Sequence, residues 1–293
     1  MEARIGRLGQ TKVYLHKCFL IFLNEKAWKK ILFGAVISLI VAWVIGDDVF
    51  VYQANTKSGA FALVCACIWI GIFNSIQSVC REREILKREH RTGMHVTSYI
   101  LAHMLFELLQ CLVQTLIIAL LVWVFHEDEL QDNGIFFSYM IEFFITAFLT
   151  MYSADALGLA VSCIVRSENA AMTVMPFLLI VQLVFSGLFF QLDDNISWLS
   201  SLTISKWGVD GICTSADLNM MPSEETILRA QIQYEEQGED IDLYELAKSQ
   251  AYEMEFDPSG EHMMEIWLAL AGYTLVYAAV GAIGLSQVDR DKR

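Results

Sequence analysis

Six apolar runs, at 27–45, 59–79, 96–125, 135–165, 170–192 and 266–288, dominate this chain and constrain it more than any motif does. A helix needs about 20 apolar residues to cross a bilayer core of about 30 Å, and each run meets or approaches that length. No water-soluble core of 293 residues needs so much apolar surface: hydrophobic types make up 55% of the chain and charged types only 18%. The expectation is an all-α integral membrane protein with six transmembrane helices. The third and fourth runs exceed a straight crossing, so they are expected to tilt, break or extend past the bilayer, with Asp155 interrupting the fourth.

Cytoplasmic loops retain Lys and Arg, and this sets the orientation. Of the 20 basic residues, seven lie up to Lys30, five between positions 80 and 94, one at Arg166 and three at the C-terminal end, all on one side of the six-span topology. Both termini are thereby placed in the cytoplasm of a multi-pass cell-membrane protein. The acids lie opposite: 16 Asp and Glu against Lys206, Arg229 and Lys248 fall at 191–262, which carries nearly the whole net charge of −14. Within that acidic external domain, Ser223 before Glu224-Glu225 reads as a helix start, and Asp242 with Glu245 as a second one. The loop is read as a solvated helical cap, with attraction of cations or basic substrates as the alternative.

Residues 1–26 alternate Arg and Lys with Leu, Val and Phe in the manner of an amphipathic helix lying along the inner interface. No cleavable signal peptide is read in this stretch. Seven cysteines offer no disulfide framework, because only Cys213 is expected on the oxidising side and Cys65-Ala-Cys67 lacks metal-site spacing. The stretch Gly6 to Lys12 lacks the ending of a phosphate loop. No catalytic residue, no metal site and no ATP site are expected on the chain itself, and no nucleic acid partner. Three acids fall inside spans: Glu107, Glu142 and Asp155. They read either as the lining of a polar path or as neutral packing groups, and the residues leave both open.

One charged stretch, Cys80 to Met94 (CREREILKREHRTGM), separates the second and third runs and ends at a turn-forming Thr92-Gly93. Acids interleave with the basic residues, more than a positive-inside anchor requires. Ser98-Tyr99-Ile100-Leu101 then opens the next span. Downstream come Leu157-Gly158-Leu159, Arg166-Ser167-Glu168, Pro176-Phe177-Leu178-Leu179, Phe185-Ser186-Gly187-Leu188-Phe189-Phe190 and Ile196-Ser197-Trp198-Leu199, followed by Ser205-Lys206-Trp207-Gly208-Val209-Asp210. In this order the blocks resemble the membrane domain of ABC-2 transporters of the ABCG (white) type.

The resemblance implies a domain order of interfacial helix (1–26), five spans with the coupling cassette at 80–94 (27–190), an external domain with a re-entrant segment (191–262), and the last span with a cytosolic tail (263–293). It implies that Glu82, Arg83, Lys87, Arg88, Glu89 and Arg91 contact a cytosolic ABC ATPase that binds ATP and Mg. It further implies that Ile70, Phe73, Pro176, Leu179, Ile180 and Leu183 line a substrate cavity between two permease copies, or between this chain and a related one. Leu188 and Phe189 would plug the exit. The aromatic clamp of some multidrug members has no aligned aromatic here, Ile70 standing in its place, and the external cysteine pair of animal members is missing. With Met1 only about 25 residues before the first span, the expected protein is the permease subunit of a bacterial ATP-driven exporter, its ATPase on a separate chain. The alternative is a polytopic receptor or immunity protein that binds a ligand through its acidic external domain.

Overall fold

The computed structural model describes residues 6–46, 48–131, 133–186, 197–237, 243, 247, 248, 250 and 252–287. Ten helices are described: α1 (Arg7–Asn24), α2 (Lys29–Val44), α3 (Gln53–Ser75), α4 (Arg83–Arg91), α5 (Val96–His126), α6 (Tyr139–Ile164), α7 (Glu168–Val184), α8 (Ile204–Ser215), α9 (Glu224–Gln237) and α10 (Gly260–Ser286). No strand occurs among the described residues. Four helical stretches are long and apolar enough to cross a membrane: Gln53–Arg91, Val96–His126, Tyr139–Ile164 and Gly260–Ser286. A fifth exists if α1 and α2, bent by 71° at residues 25–28, count as one broken span. The apolar α7 stops at Val184, shorter than the 170–192 run, and the remainder of that run falls outside the described residues.

Several ends differ from the apolar runs because polar residues extend or cap a helix that hydropathy alone does not see. Helix α3 begins at Gln53, where the polar Gln-Ala-Asn-Thr-Lys stretch continues the helix outward. Helix α10 begins at Gly260, since Ser259 Oγ accepts the N–H of His262. Ser167 caps α7 in the same way through Ala170. At 31 residues α5 is about 46 Å long, so it extends well past a bilayer core. Asp155 does not interrupt α6, which runs unbroken through it: a single Asp in an otherwise good helix costs too little propensity to break it.

The centre of the fold is α3 against α6, with α8 and α10 packed on the same core. Lipid tails are as apolar as these side chains, so close backbone approach rather than hydrophobic burial must hold such helices together. Small residues allow it: a Cβ on Gly71 would collide with the Met151 carbonyl oxygen, and one on Gly158 with Ser75 Oγ. Hydrogen bonds add direction, with Ser153 Oγ donating to the Leu270 carbonyl at 2.7 Å and Trp267 Nε1 to Thr146 Oγ1 at 3.0 Å, both joining α6 to α10.

The segment 205–210 expected to be re-entrant forms part of α8, a 12-residue helix buried among α3, α6 and α10. Its first N–H groups are capped from another helix: Gln182 of α7 accepts from Ile204 at 2.9 Å and Ser205 at 3.2 Å. Cys213, expected on the outside, is fully buried in this helix, and all seven cysteines are free. The helix start expected after Ser223 is α9, where Ser223 Oγ accepts the Thr226 N–H. The second expected start, at Asp242 and Glu245, lies outside the described residues.

Candidate functional site: the charged cassette and its anchorage

The cassette folds as a 3-10 turn, Cys80–Glu82, running into α4. Helix α4 ends in a Schellman closure: Gly93 N–H bonds to the His90 carbonyl and Met94 N–H to the Glu89 carbonyl. Gly93 takes φ 106°, a conformation that costs glycine nothing, which explains the Thr92-Gly93 pair at this point. Met94 then turns inward beside Leu86, and both join a buried cluster with Tyr99, Leu159 and Leu285.

One face of α4 is therefore fixed to the membrane helices and the other is free. On the fixed face Leu86 is 0% exposed, and Arg83, 8% exposed, donates from Nη1 to the carbonyls of Cys163 at 2.9 Å and Val165 at 2.8 Å. Those carbonyls end α6, so Arg83 serves as its C-terminal cap. Arg83 was expected to face the ATPase; its burial removes it from that surface. Glu82 and Glu89 are engaged too, by Lys17 of α1, at 2.7 and 3.9 Å. On the free face stand Glu84, Ile85, Arg88 and Arg91, while Lys87 is half-buried. Ile85 is 50% exposed on an otherwise charged helix.

Helix α1 is latched to this assembly along its length. Ser98 Oγ donates to the Arg7 carbonyl at 3.0 Å, Gln10 Oε1 accepts from His95 N–H at 2.9 Å, and Tyr14 meets Tyr99 edge-on at 5.3 Å. At its far end Glu25 pairs with Arg81 at 2.6 Å. The amphipathic helix is thus a structural partner of the cassette, a relation that no local sequence signal carries.

The three intramembrane acids separate into two kinds. Glu142 Oε1 accepts the N–H of Phe137 at 3.0 Å and that of Phe136, so it staples the loop before α6. Glu107 and Asp155 are buried on α5 and α6, within electrostatic reach of each other and of Lys30. Around them, Lys30 Nζ donates to the Asn74 carbonyl at 2.6 Å, Asn74 bonds Gln114, and His103 Nδ1 lies 3.9 Å from Glu107. Lys30, Asn74, His103 and Gln114 were not singled out in the sequence. Their common signal was available, namely polar residues near the same depth of different helices.

Of the residues expected to line a substrate cavity, Ile70 is 2% exposed and packs toward Gly34 of α2. It belongs to the interior of the protomer, and Trp69 beside it is exposed instead. Phe73 is half-buried against Phe33 at 5.1 Å. On α7, Pro176, Ile180 and Leu183 are exposed, and Leu179 is partly buried against the core. Leu188 and Phe189 lie outside the described residues. No cluster of three or more metal-ligating side chains is found among the described residues.

This arrangement defines a helical membrane protein with several spans and a charged amphipathic element held against one end of the bundle. Comparison with known proteins gives it a family: the model for ABC-2 type transporters matches residues 9–215, and the chain belongs to that family as a membrane component. It is 27% identical over 156 residues to the ABC transporter ATP-binding/permease protein Rv1747 of Mycobacterium tuberculosis, covering 52% of this chain and 18% of that protein. It is 28% identical over 145 residues to the ABC transporter ATP-binding protein/permease wht-1 of Caenorhabditis elegans, covering 48% and 21% respectively. ABC transporter G family member 7 of Arabidopsis thaliana is 34% identical over 65 residues, 21% of this chain and 9% of that protein. The matched stretches thus span about a fifth or less of these relatives' lengths.

Proposed function

We propose that this chain is the permease of a bacterial ATP-driven exporter, with six spans and both termini in the cytoplasm of the cell membrane. Two copies, or this chain and a related permease, form the pathway. Cytosolic ABC ATPases on separate chains bind ATP and Mg and dock on the cassette. The relatives named as ATP-binding and permease proteins support the pairing of the two activities and set the alternative arrangement, in which both lie on one polypeptide.

The observation that carries this reading is the two-faced cassette helix. Its inner face is fixed to α6 through Arg83 and to the bundle through Leu86, while Ile85 and Arg88 face outward. A force applied to the outer face by closing ATPases passes to the end of α6, and α6 packs on both α3 and α10. Rigid-body displacement follows, because packed helices shift as units. The exposed apolar side chains of α7, Phe177, Ile180 and Leu183, together with Trp69 of α3, then form the wall between two copies, a surface suited to an apolar or amphipathic cargo. The buried acids and the external domain perform no covalent chemistry in this scheme.

A receptor reading draws on one feature, an outer cavity of about 610 Å³ lined by Lys57, Arg229, Gln250 and Glu253. Purification from native membranes in mild detergent separates the two, with mass spectrometry of what accompanies the chain and a vanadate-sensitive ATPase assay. The exporter reading expects a P-loop ATPase with the wild type and its loss from Arg88→Glu. A folded protein that brings down no ATPase and contains none on its own polypeptide contradicts it.

A further inference from the structure

The elbow between α1 and α2 encloses a cavity of about 410 Å³, walled by the elbow itself, the end of α3 with the cassette, and α5. Its charges are arranged in two tiers. At the rim Lys26 and Lys29 are exposed, and neither makes an ion pair among the described residues. Helix α2 starts at Lys29 with no side-chain cap on its first N–H groups, which adds its positive end to the same rim. The neighbouring Arg81 and Glu82 are already committed, to Glu25 and Lys17.

The inner wall is of opposite sign. Glu107 lines the cavity at 3% exposure, and its Oε2 has no hydrogen-bond partner. Asp155, behind it on α6, adds a second acid within electrostatic reach. A buried carboxylate oxygen without a donor is costly, so this atom calls for one. A simple anion would satisfy the lysines yet be repelled by Glu107. A simple cation would satisfy Glu107 and leave the lysine rim and helix end unmet. A ligand with a phosphate at one end and an N–H-bearing ammonium at the other answers both. Just past the rim, Trp28, Leu32 and Phe33 are exposed, an apolar track where acyl chains can lie.

We propose that the α1–α2 elbow binds a phosphoethanolamine group, its phosphate on Lys26 and Lys29 and its ammonium on Glu107. The group comes either from the headgroup of phosphatidylethanolamine or from soluble phosphoethanolamine.

The test uses the full chain in nanodiscs that contain phosphatidylethanolamine with phosphatidylglycerol, or phosphatidylcholine with phosphatidylglycerol, followed by native mass spectrometry of the released protein. One phosphatidylethanolamine per chain should survive release, whereas phosphatidylcholine, whose quaternary ammonium has no N–H, should not. Retention should fall about tenfold in Lys26→Ala/Lys29→Ala and in Glu107→Gln, the loss of one charge-assisted hydrogen bond. The lysine pair is exposed, so its replacement leaves the fold intact; Glu107→Gln keeps the side-chain shape. Soluble phosphoethanolamine that raises the melting temperature of lipid-free protein as much as the lipid does identifies the free compound as ligand; protection by the lipid alone identifies the headgroup. Equal retention of phosphatidylethanolamine and phosphatidylglycerol, or wild-type retention in both variants, overturns the proposal.

Discussion

Lys17 Nζ lies 2.7 Å from a carboxylate oxygen of Glu82, joining a helix near the start of the chain to the cassette 65 residues later. The same ammonium stands 3.9 Å from Glu89, one cation between two acids of the cassette. Partly exposed ion pairs contribute little stability, of order 0–1 kcal/mol, so the effect of this one is expected in transmission. Lys17→Glu should leave the melting temperature nearly unchanged while lowering the ATPase activity of the reconstituted complex. The exchange Lys17→Glu/Glu82→Lys should recover much of that activity. Equal activity in Lys17→Glu and wild type would show that α1 is a passive anchor.

Arg83 and Arg88 sit five residues apart on the cassette and should fail differently. Removal of the Arg83 guanidinium leaves the Cys163 and Val165 carbonyls without their donor. Arg83→Leu should destabilise the protein by about 2–3 kcal/mol, the range for hydrogen bonds to a charged donor, read as a lower melting temperature in detergent. Arg88→Glu should leave the melting temperature alone and weaken association with the ATPase. The reverse pattern would mean that the two faces of α4 have been assigned the wrong way round.

Close approach of α3 and α6 makes a further demand. With its Cβ directed at the Met151 carbonyl oxygen, Gly71→Ala should lower the folded yield in membranes severalfold, and Gly158→Ala, against Ser75 and Ile72, should behave alike. Gly272→Ala, at a position with nothing within 4 Å, is the control and should be neutral. Fluorescence-detected size-exclusion chromatography compares the three.

Glu142 is expected to matter for structure and not for passage. Glu142→Gln keeps an oxygen to accept the N–H groups of Phe136 and Phe137, so it should retain stability and transport. Glu142→Ala should cost about 1–3 kcal/mol, the penalty for buried donors left unmade. A transport defect in Glu142→Gln at unchanged stability would return this residue to the pathway.

Legibility in the sequence followed the range of the physics. Hydropathy located α5, α6 and α10 because membrane helices satisfy their own backbone and show it as a local average. The Schellman end at Gly93 and the starts at Ser167 and Ser223 were readable as well, since caps are local chemistry. What escaped was long-range pairing. Arg83 and Arg88 are the same residue type in one charged run, and only the position of α6 decides which is a cap and which is free. Ile70 shared the apolar character of its helix, and only Gly34 of α2 shows that it points inward. The Lys30, Asn74 and Glu107 grouping draws on three helices, so no window along the chain contains it.

The central claim is that the outer face of α4 receives an ATPase, and photocrosslinking in native membranes tests it most directly. A benzoylphenylalanine in place of Ile85 should crosslink to a P-loop ATPase, while one in place of Leu268, an exposed apolar side chain of α10, should not. Crosslinks from position 85 only to lipid, or to proteins without a P-loop, in membranes where the chain is folded would contradict the account.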